Sequence, residues 1–488
     1  MAIFKFERDI FQHKFVQSDG FKNRAKSTVA DCDSICPSNT DNANVYRGYS
    51  SMQLLADTLH NIFGEVLSVK KSADIEADLK NKMIEQLECD DEKLEMVFKD
   101  LIESLYFDKT NSNSTTSVAL LRYLPASKQK DFGKFVYDVF LEDETKCKLR
   151  KVICAEANPL DDMVKVAYGS LNVLKKISPK REYSRVFGRD LEELFVLMNK
   201  DFRAALDNNT DAMAELEFLF AYYLFIYLSQ FAMRVDKALD GDSSIVYPMF
   251  KGAKEAVSED RECVTYGWKR VEKKTQKIFK HMIVLNMLNC HTNDTQYFTY
   301  SDLYSLYDQN PEEREEMDNA VDYIIEQYTL VHKHDTDVPG KNVDFSQIDY
   351  PVEADHSLRF RKKVKYLYEC VSLQLDSKNY RQNVVSYVAG NYNHILKMRF
   401  VKSWGQLGQM MMITNEDLIT MISICQRTSD RMNNERGLQI QDMFCEFEKR
   451  GLYMDGKTRQ YVIDYLIQIN LIDSKCDSEE AQYVKRIQ

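Results

Sequence analysis

The sequence predicts a mainly α protein: a multi-helix body with a short N-terminal strand-like arm and a C-terminal winged helix-turn-helix. Three observations carry that expectation. Glycine and proline are scarce, 16 and 8 in 488 residues, so tight turns are few and long helices are favoured over a sandwich or a glycine-hinged α/β enzyme. Apolar residues recur at i, i+3, i+4 and i+7 through most of the chain. Residues 413–488 hold three such helical runs followed by two short extended runs.

Residues 1–50 form the expected arm, with alternating runs at Ile3, Phe4, Phe6 and at Phe15, Val16, then a polar stretch from Asp31 to Asn44. A helical body is expected over 51–335. It opens on the stripe Leu54, Leu55, Leu59, Ile62, Phe63 and Val66, runs on through 75–107 with a break at Asp90-Asp91, and passes a surface loop from Asp108 to Ser117. Helical patterns follow over about 128–142, 160–177, 189–206, 211–239 and 264–289. Another, from Pro311 to about His334, begins Pro, Glu, Glu, as helix N-termini prefer. Residues 336–356 carry two prolines, a glycine and no helical period, and read as a linker. A basic helical segment, 357–412, leads to the winged-helix domain at 413–488.

Composition excludes several classes. A hydrophobic fraction of 44% excludes a wholly disordered chain, and a net charge of −11 excludes a generic basic nucleic-acid coat. Phe218 to Met233 carries no charge, but it falls short of the ~20 residues that span a bilayer, so a buried helix is expected and no membrane. Eleven scattered cysteines and an N-terminus without an apolar signal core imply reduced thiols in a cytoplasmic protein. No metal is expected. Cys32-x3-Cys36 is a lone half-site, Cys290-His291 are adjacent, and His332-Lys-His334-Asp335 ends a helical pattern. No cofactor, small-molecule substrate or catalytic set is legible either. Arg8-x4-His13 has a spacing that helical ribonucleases use, yet it lies in an alternating, strand-like segment.

Charge is unevenly spread. Ser72 to Ser104 holds eleven acidic and four basic residues, net −7. Ser357 to Ser403 holds ten basic residues (Arg359, Arg361, Lys362, Lys363, Lys365, Lys378, Arg381, Lys397, Arg399 and Lys402) and two acidic, net +8. Phe360, Tyr366, Tyr368, Tyr380, Tyr387 and Tyr392 are interleaved with them, the pattern of a surface that tracks phosphates and stacks bases. A solvated helix face is the plainer reading. A second basic run, Lys269, Arg270, Lys273, Lys274, Lys277 and Lys280, places most of its members on one helix face.

Gly451-Leu-Tyr-Met-Asp-Gly456-Lys457-Thr458 satisfies the P-loop pattern. A working P-loop follows a buried strand, and its small residues let backbone N–H groups wrap a phosphate. Here Ile440, Met443, Phe444 and Phe447 keep helical spacing ahead of it, and Asp455 would set a negative charge beside the phosphates. The match is rejected.

The C-terminal domain begins at Thr414-Asn-Glu-Asp417, a helix start, with Leu418, Met421, Ile422 and Cys425 on one face. Gly451 stops the second helix, and Val462, Tyr465, Leu466 and Ile469 mark the third. Leu471 to Lys475 and Gln482 to Ile487 read as two strands around a polar turn. In a winged helix the helix Lys457–Gln468 would enter the major groove, with Lys457, Arg459 and Gln460 facing the duplex. From Gly437 onward nine acidic residues oppose seven basic ones, so protein docking suits the domain at least as well.

Lys449-Arg450-Gly451-Leu452 with Asp455, then Asn470-Leu471-Ile472 and Asp477-Ser-Glu-Glu-Ala481-Gln-Tyr-Val-Lys485, resemble the C-terminal end of the DptG (DndG) family. These are accessory components of bacterial phosphorothioation-dependent DNA restriction, an anti-phage defence. The family ends in an acidic-serine turn followed by Ala-Gln-Tyr-Val-Lys, matched here at 481–485; a glycine of that turn is replaced by Glu479 or Glu480. The match covers 449–485, and over the rest only length and helical character are compatible. The resemblance implies a non-catalytic scaffold or DNA-contact subunit, with ATPase and helicase-like or nuclease activities on companion subunits of DptF and DptH type. Double-stranded DNA is the nucleic-acid partner to test. The alternatives are a stand-alone winged-helix regulator and, behind it, an NTPase using Gly451–Thr458.

Overall fold

The computed structural model describes residues 4–17, 20–21, 35–37, 42–68, 81–85, 92–102, 131–154, 173–176, 183, 185, 191–208, 212–242, 244, 247–291, 297–333, 343–353, 355–376, 383–432, 436–472 and 482–487. The expected loop 108–117, the pattern at 160–177 except for its last strand-forming residues, and Cys32, Cys89, His334, Lys378, Tyr380 and Arg381 lie outside them.

In chain order the elements are α1 (Arg8–Phe15), β1 (Val16–Gln17), β2 (Gly20–Phe21), α2 (Ser51–Phe63), β3 (Glu65–Ser68), α3 (Glu92–Ile102), α4 (Asp131–Val139), α5 (Asp143–Cys154) and β4 (Val173–Lys176). Next come α6 (Glu192–Leu206), α7 (Ala212–Leu239), β5 (Met249–Gly252), α8 (Glu262–Thr265), α9 (Trp268–Leu288), α10 (Tyr300–Gln309) and α11 (Arg314–His332). The last stretch holds α12 (His356–Gln374), α13 (Val384–Leu396), β6 (Val401–Ser403), β7 (Gln409–Ile413), α14 (Asn415–Thr428), β8 (Leu438–Gln439), α15 (Ile440–Lys449), β9 (Tyr453–Met454), α16 (Gly456–Gln468) and β10 (Tyr483–Val484). The protein is mainly helical. It folds as two compact units, one of residues 50–180 and 195–222, the other of 1–49, 181–194 and 223–488.

In the smaller unit α2 starts at a capping box, Ser50 accepting from the Gln53 amide while the Gln53 side chain accepts from Ser50. The helix packs so closely on α4 that a Cβ at Gly133 would lie 2.4 Å from Asp57 Cβ, which is why only glycine fits. Asn199 on α6 ties down the end of α4: its amide donates to Phe140 O (2.9 Å) and its carbonyl accepts from Glu142 N–H (3.0 Å).

The larger unit is built around α9 and the C-terminal half of α7. Among the described residues α7 is the one helix long and apolar enough to cross a membrane, and it is almost wholly buried inside the protein. α9 packs along α13, α11 along α12, and α10 reaches α12 through the stacked rings of Tyr307 and Phe360. The N-terminal arm differs from expectation. Residues 8–15 are helical because Phe11 and Phe15, four apart, bury one face, while Asp9 in the first turn and His13 and Lys14 in the last suit the helix dipole. Among the described residues of the arm, Phe6, bridged to His291, and the short β1–β2 hairpin keep the strand character.

A four-stranded sheet in order β6-β7-β5-β9 was not foreseen. β5 runs parallel to both β7 (Lys251↔Met412) and β9 (Met249↔Tyr453), and β6 runs antiparallel to β7. The expected linker lies inside the larger unit rather than at a boundary. Its described residues run along α11 and α12, with Val343 N–H donating to Lys333 O (2.9 Å) and Tyr350 Oη to Asp322 (2.5 Å).

At the C terminus α14 is capped by Thr414, whose hydroxyl accepts from Asp417 N–H (3.0 Å), and α15 ends before Gly451 at φ +85°. The ladder partner of β10 is β8 (Leu438↔Val484), a strand the sequence did not reveal. Lys485 N–H also donates to Leu471 O (2.8 Å), and 473–481 lie outside the described residues. Buried Arg450 binds Glu446 Oε2 (2.7 Å) and Thr428 Oγ1 (2.8 Å), locking α14 to α15.

Candidate functional site

The densest polar chemistry surrounds the start of α16. Asp455 is the N-cap: its Oδ1 accepts from Thr458 N–H at 2.9 Å, filling one of the free amides of the helix's first turn. Arg261, at the start of α8, then clamps Asp455 with both edges of its fork, Nε to Oδ2 at 2.9 Å and Nη2 to Oδ1 at 2.5 Å. The same Nη2 reaches Glu255 Oε1 (2.7 Å) and Thr458 Oγ1 (3.0 Å), and Thr458 Oγ1 donates to Glu255 Oε2 (2.9 Å). All four side chains are buried. Burial would raise the Asp455 carboxyl, but the hydrogen bonds from Arg261 and Thr458 and the guanidinium charge hold it well below the usual range.

Lys251 on β5 lies beside this network. Its Nζ donates to the carbonyls of Gly252 (2.6 Å), Ala253 (3.3 Å) and Glu255 (3.2 Å), and sits 3.6 Å from the Trp404 ring centroid. Burial pushes its pKa down to about 8, against the pull of Glu255. Three donors on three carbonyls and a ring on the remaining side leave no free position for a substrate. Cys263 is equally enclosed, its thiol pushed up to about 12 by burial first and by Asp455 next.

This geometry bears directly on the P-loop pattern. The residues before Gly451 are α15, not a strand, and β9 lies inside the pattern. Thr458, which would hold the metal, is bonded to Glu255 and Arg261, and the amide that would meet phosphate is filled by Asp455. Lys457 is exposed. The cluster is a clamp between β5, α8 and α16.

Most of the described cations of the basic segment are paired in place. Lys363 is nearly buried and pairs with Asp322 (2.7 Å) and Asp318 (3.4 Å) on α11. Arg361 pairs with Asp308 (2.7 Å), Lys365 with Asp240 (2.6 Å), Lys362 with Glu353, Lys397 with Glu272 (3.2 Å) and Arg399 with Asp417 (2.6 Å). Arg359 Nε donates to Glu353 O at 3.0 Å. Lys402 alone of these is exposed with no side-chain partner among the described residues. On α16, Arg459 pairs with Glu448, and Gln460 donates to Asp464 (2.8 Å). Four of the interleaved aromatics belong to the core rather than to a stacking platform: Phe360, Tyr366 and Tyr392 are buried, and Tyr368 stacks on His281 at 4.4 Å; Tyr387 is half-buried.

The second basic run divides. Lys274 and Lys277 (2.7 Å) both hold Asp236, beside fully buried His281, whose Nδ1 lies 3.3 Å from Tyr300 Oη. Burial lowers the His281 pKa, with Asp236 acting the other way. Lys269 and Lys273 are exposed and have no partner among the described residues. Arg8 and His13 do lie on a helix, five residues apart and so about 140° around it, with Arg8 over the Tyr323 ring (4.7 Å). His332 closes α11 with its ring against Tyr328, and His291 is buried beside Phe298. No group of three or more metal-ligating side chains forms among the described residues.

Arg261, Glu255, Lys251 and Trp404 were not singled out by the sequence, since they lie up to about two hundred positions from Asp455 and share no local spacing. No known family model matches the chain, and no curated protein matches it.

Proposed function

We propose that this chain is a scaffold and DNA-contact subunit of a phosphorothioation-dependent DNA restriction complex, acting beside companion ATPase and helicase-like or nuclease subunits. The observation that carries the reading is the C-terminal stretch 449–485, whose residues resemble the DptG family and whose surroundings order as α14, β8, α15, α16 and β10, with the short β9 between α15 and α16 pairing to β5 instead. That order, with the β8–β10 ladder and the Lys485–Leu471 hydrogen bond, supports a winged helix. The outward side of α16 supports a docking module more than a groove reader. Lys457 and Gln460 are exposed there, but so is Asp464, while Ile463 and Ile467 are half-buried and Ile469 is exposed.

The test is co-purification of the tagged chain with the P-loop ATPase encoded beside its gene. The reading expects a stable complex that Gly437→Ala weakens, because a Cβ at Gly437 would fall 2.0 Å from Val484 O and break the β8–β10 pairing. Absence of such a neighbour, or of any complex with it, counts against the reading. A stand-alone regulator would instead bind one operator tightly as a dimer, with half-sites one helical turn apart.

A further inference from the structure

Many cations of the larger unit are matched by carboxylates, and among the exposed ones without a partner among the described residues Arg47, Lys269, Lys273 and Lys402 are carried by the 42–49 turn, α9 and β6. Lys397, at the end of α13, lies 5.2 Å from the Trp268 ring centroid and 3.2 Å from Glu272, while Thr275 Oγ1 bonds Asn393 Oδ1 (3.0 Å). These contacts set the end of α13 against the first turns of α9. Around α9, Lys269 and Lys273 are about 60° and 100° from Glu272, both on the side turned away from Trp268 and Thr275, and both are exposed. On the far side of α13 the turn 42–49 is stapled down by Asn391, which donates to Asn42 O (2.8 Å) and accepts from Val45 N–H (3.1 Å). That turn carries exposed Arg47, and Asn44 Oδ1 lies 3.2 Å from His394 Nε2. His394 is held below its usual pKa by burial first and then by Lys397 and Arg47, so the fields of two segments converge on it. Lys402, exposed on the edge strand β6, follows Lys397 by five residues.

We infer that Arg47, Lys269, Lys273, His394, Lys397 and Lys402 form a surface for the phosphate backbone of double-stranded DNA. The inference rests on the DNA-contact element of the proposed function and moves that contact from α12, where the sequence put most of it, to the junction of α9, α13 and β6. Among these six only Lys397 has a carboxylate partner among the described residues, Glu272. Among the described residues the large exposed apolar side chain beside this surface is Tyr266, two residues ahead of α9, with Arg270 5.6 Å from its ring centroid. One such ring is fewer than the cluster of anchors at a protein interface or the row of aromatics on which successive single-stranded bases stack, which favours a duplex.

The experiment measures binding of the full chain to a 30-base-pair duplex of arbitrary sequence across a salt series, with a poly-glutamate peptide as a second probe. Lys269→Glu with Lys273→Glu is expected to weaken duplex binding by about tenfold or more at low salt, and to lower the log–log salt slope by about 2. Lys362→Gln with Lys365→Gln, whose cations are already paired, is expected to leave binding within about twofold. Thermal melting confirms that the variants fold. If the wild-type chain binds duplex and the Lys269/Lys273 variant binds equally well, the surface assignment fails and the DNA-contact reading stands. If the wild-type chain binds no duplex, both fail. Equal loss of poly-glutamate and duplex binding, with poly-glutamate the tighter ligand, would make this a surface for an acidic protein and overturn the assignment.

Discussion

Removing the Arg261 guanidinium should destabilise the larger unit strongly, and less so in acid. Arg261→Ala leaves the Glu255 and Asp455 carboxylates buried, both bonded to Thr458, with no cation between them. Breaking a buried ion pair from one side costs roughly 3–5 kcal/mol, because the partner charge stays desolvated. In the wild type the Asp455 pKa is depressed, so its contribution is complete above the unfolded value near 3.8 and is lost as pH falls below it. In the variant Asp455 loses the guanidinium that depresses its pKa while it stays beside the Glu255 carboxylate, so its pKa rises and its protonation relieves the strain. The gap between the proteins should therefore narrow from pH 7.5 to pH 5. Urea unfolding followed by tryptophan fluorescence reads it, since both tryptophans of the chain, Trp268 and Trp404, lie in this unit and Trp404 covers Lys251. A loss under about 1 kcal/mol at pH 7.5, the range of exposed pairs, or a gap that does not change with pH, would refute the reasoning.

His281 gives a second pH effect. Its folded pKa lies below 6.5, so the stability it supports is full above that value and declines as pH falls through it; His281→Phe, which keeps the ring on Tyr368, should flatten the melting-temperature profile between pH 7 and 5. Gly437→Ala, at φ +94° and against Val484 O, should cost about 2 kcal/mol or more and expose the C terminus to limited proteolysis, whereas Gly456→Ala, in open space, should not. Magnesium ATP should leave the melting temperature of both the wild type and Lys457→Ala unchanged, because Thr458 and its amide are taken; a shift that Lys457→Ala abolishes would restore the nucleotide reading.

The long helices were legible because each buries a continuous stripe: Leu54 to Ile62 on α2, Met443 to Phe447 on α15, Val462 and Leu466 on α16. Most of the strands were not, although β10 falls within the extended run expected over Gln482 to Ile487. β5, β8 and β9 are two to four residues long, too short to show a period of two, and β5 pairs with strands more than 150 residues away. The arm misled because Phe4 and Phe6 alternate just before a helix that buries Phe11 and Phe15. Charge counted along the sequence misled for a related reason. The +8 segment meets Asp240, Asp308, Asp318, Asp322, Glu353 and Asp417 only in three dimensions, which leaves Lys402 of that segment exposed without a partner among the described residues, as are Lys269, Lys273 and Arg47 from elsewhere in the chain.

The most direct test of the proposed function is plasmid restriction in the native host with and without this gene. A plasmid without backbone sulfur should transform the wild type poorly and the deletion strain freely, while a phosphorothioated plasmid should transform both alike. Complementation by Lys457→Ala should restore the barrier in full, and Lys269→Glu with Lys273→Glu should restore it only incompletely. Equal transformation of both strains by the unmodified plasmid would contradict the account.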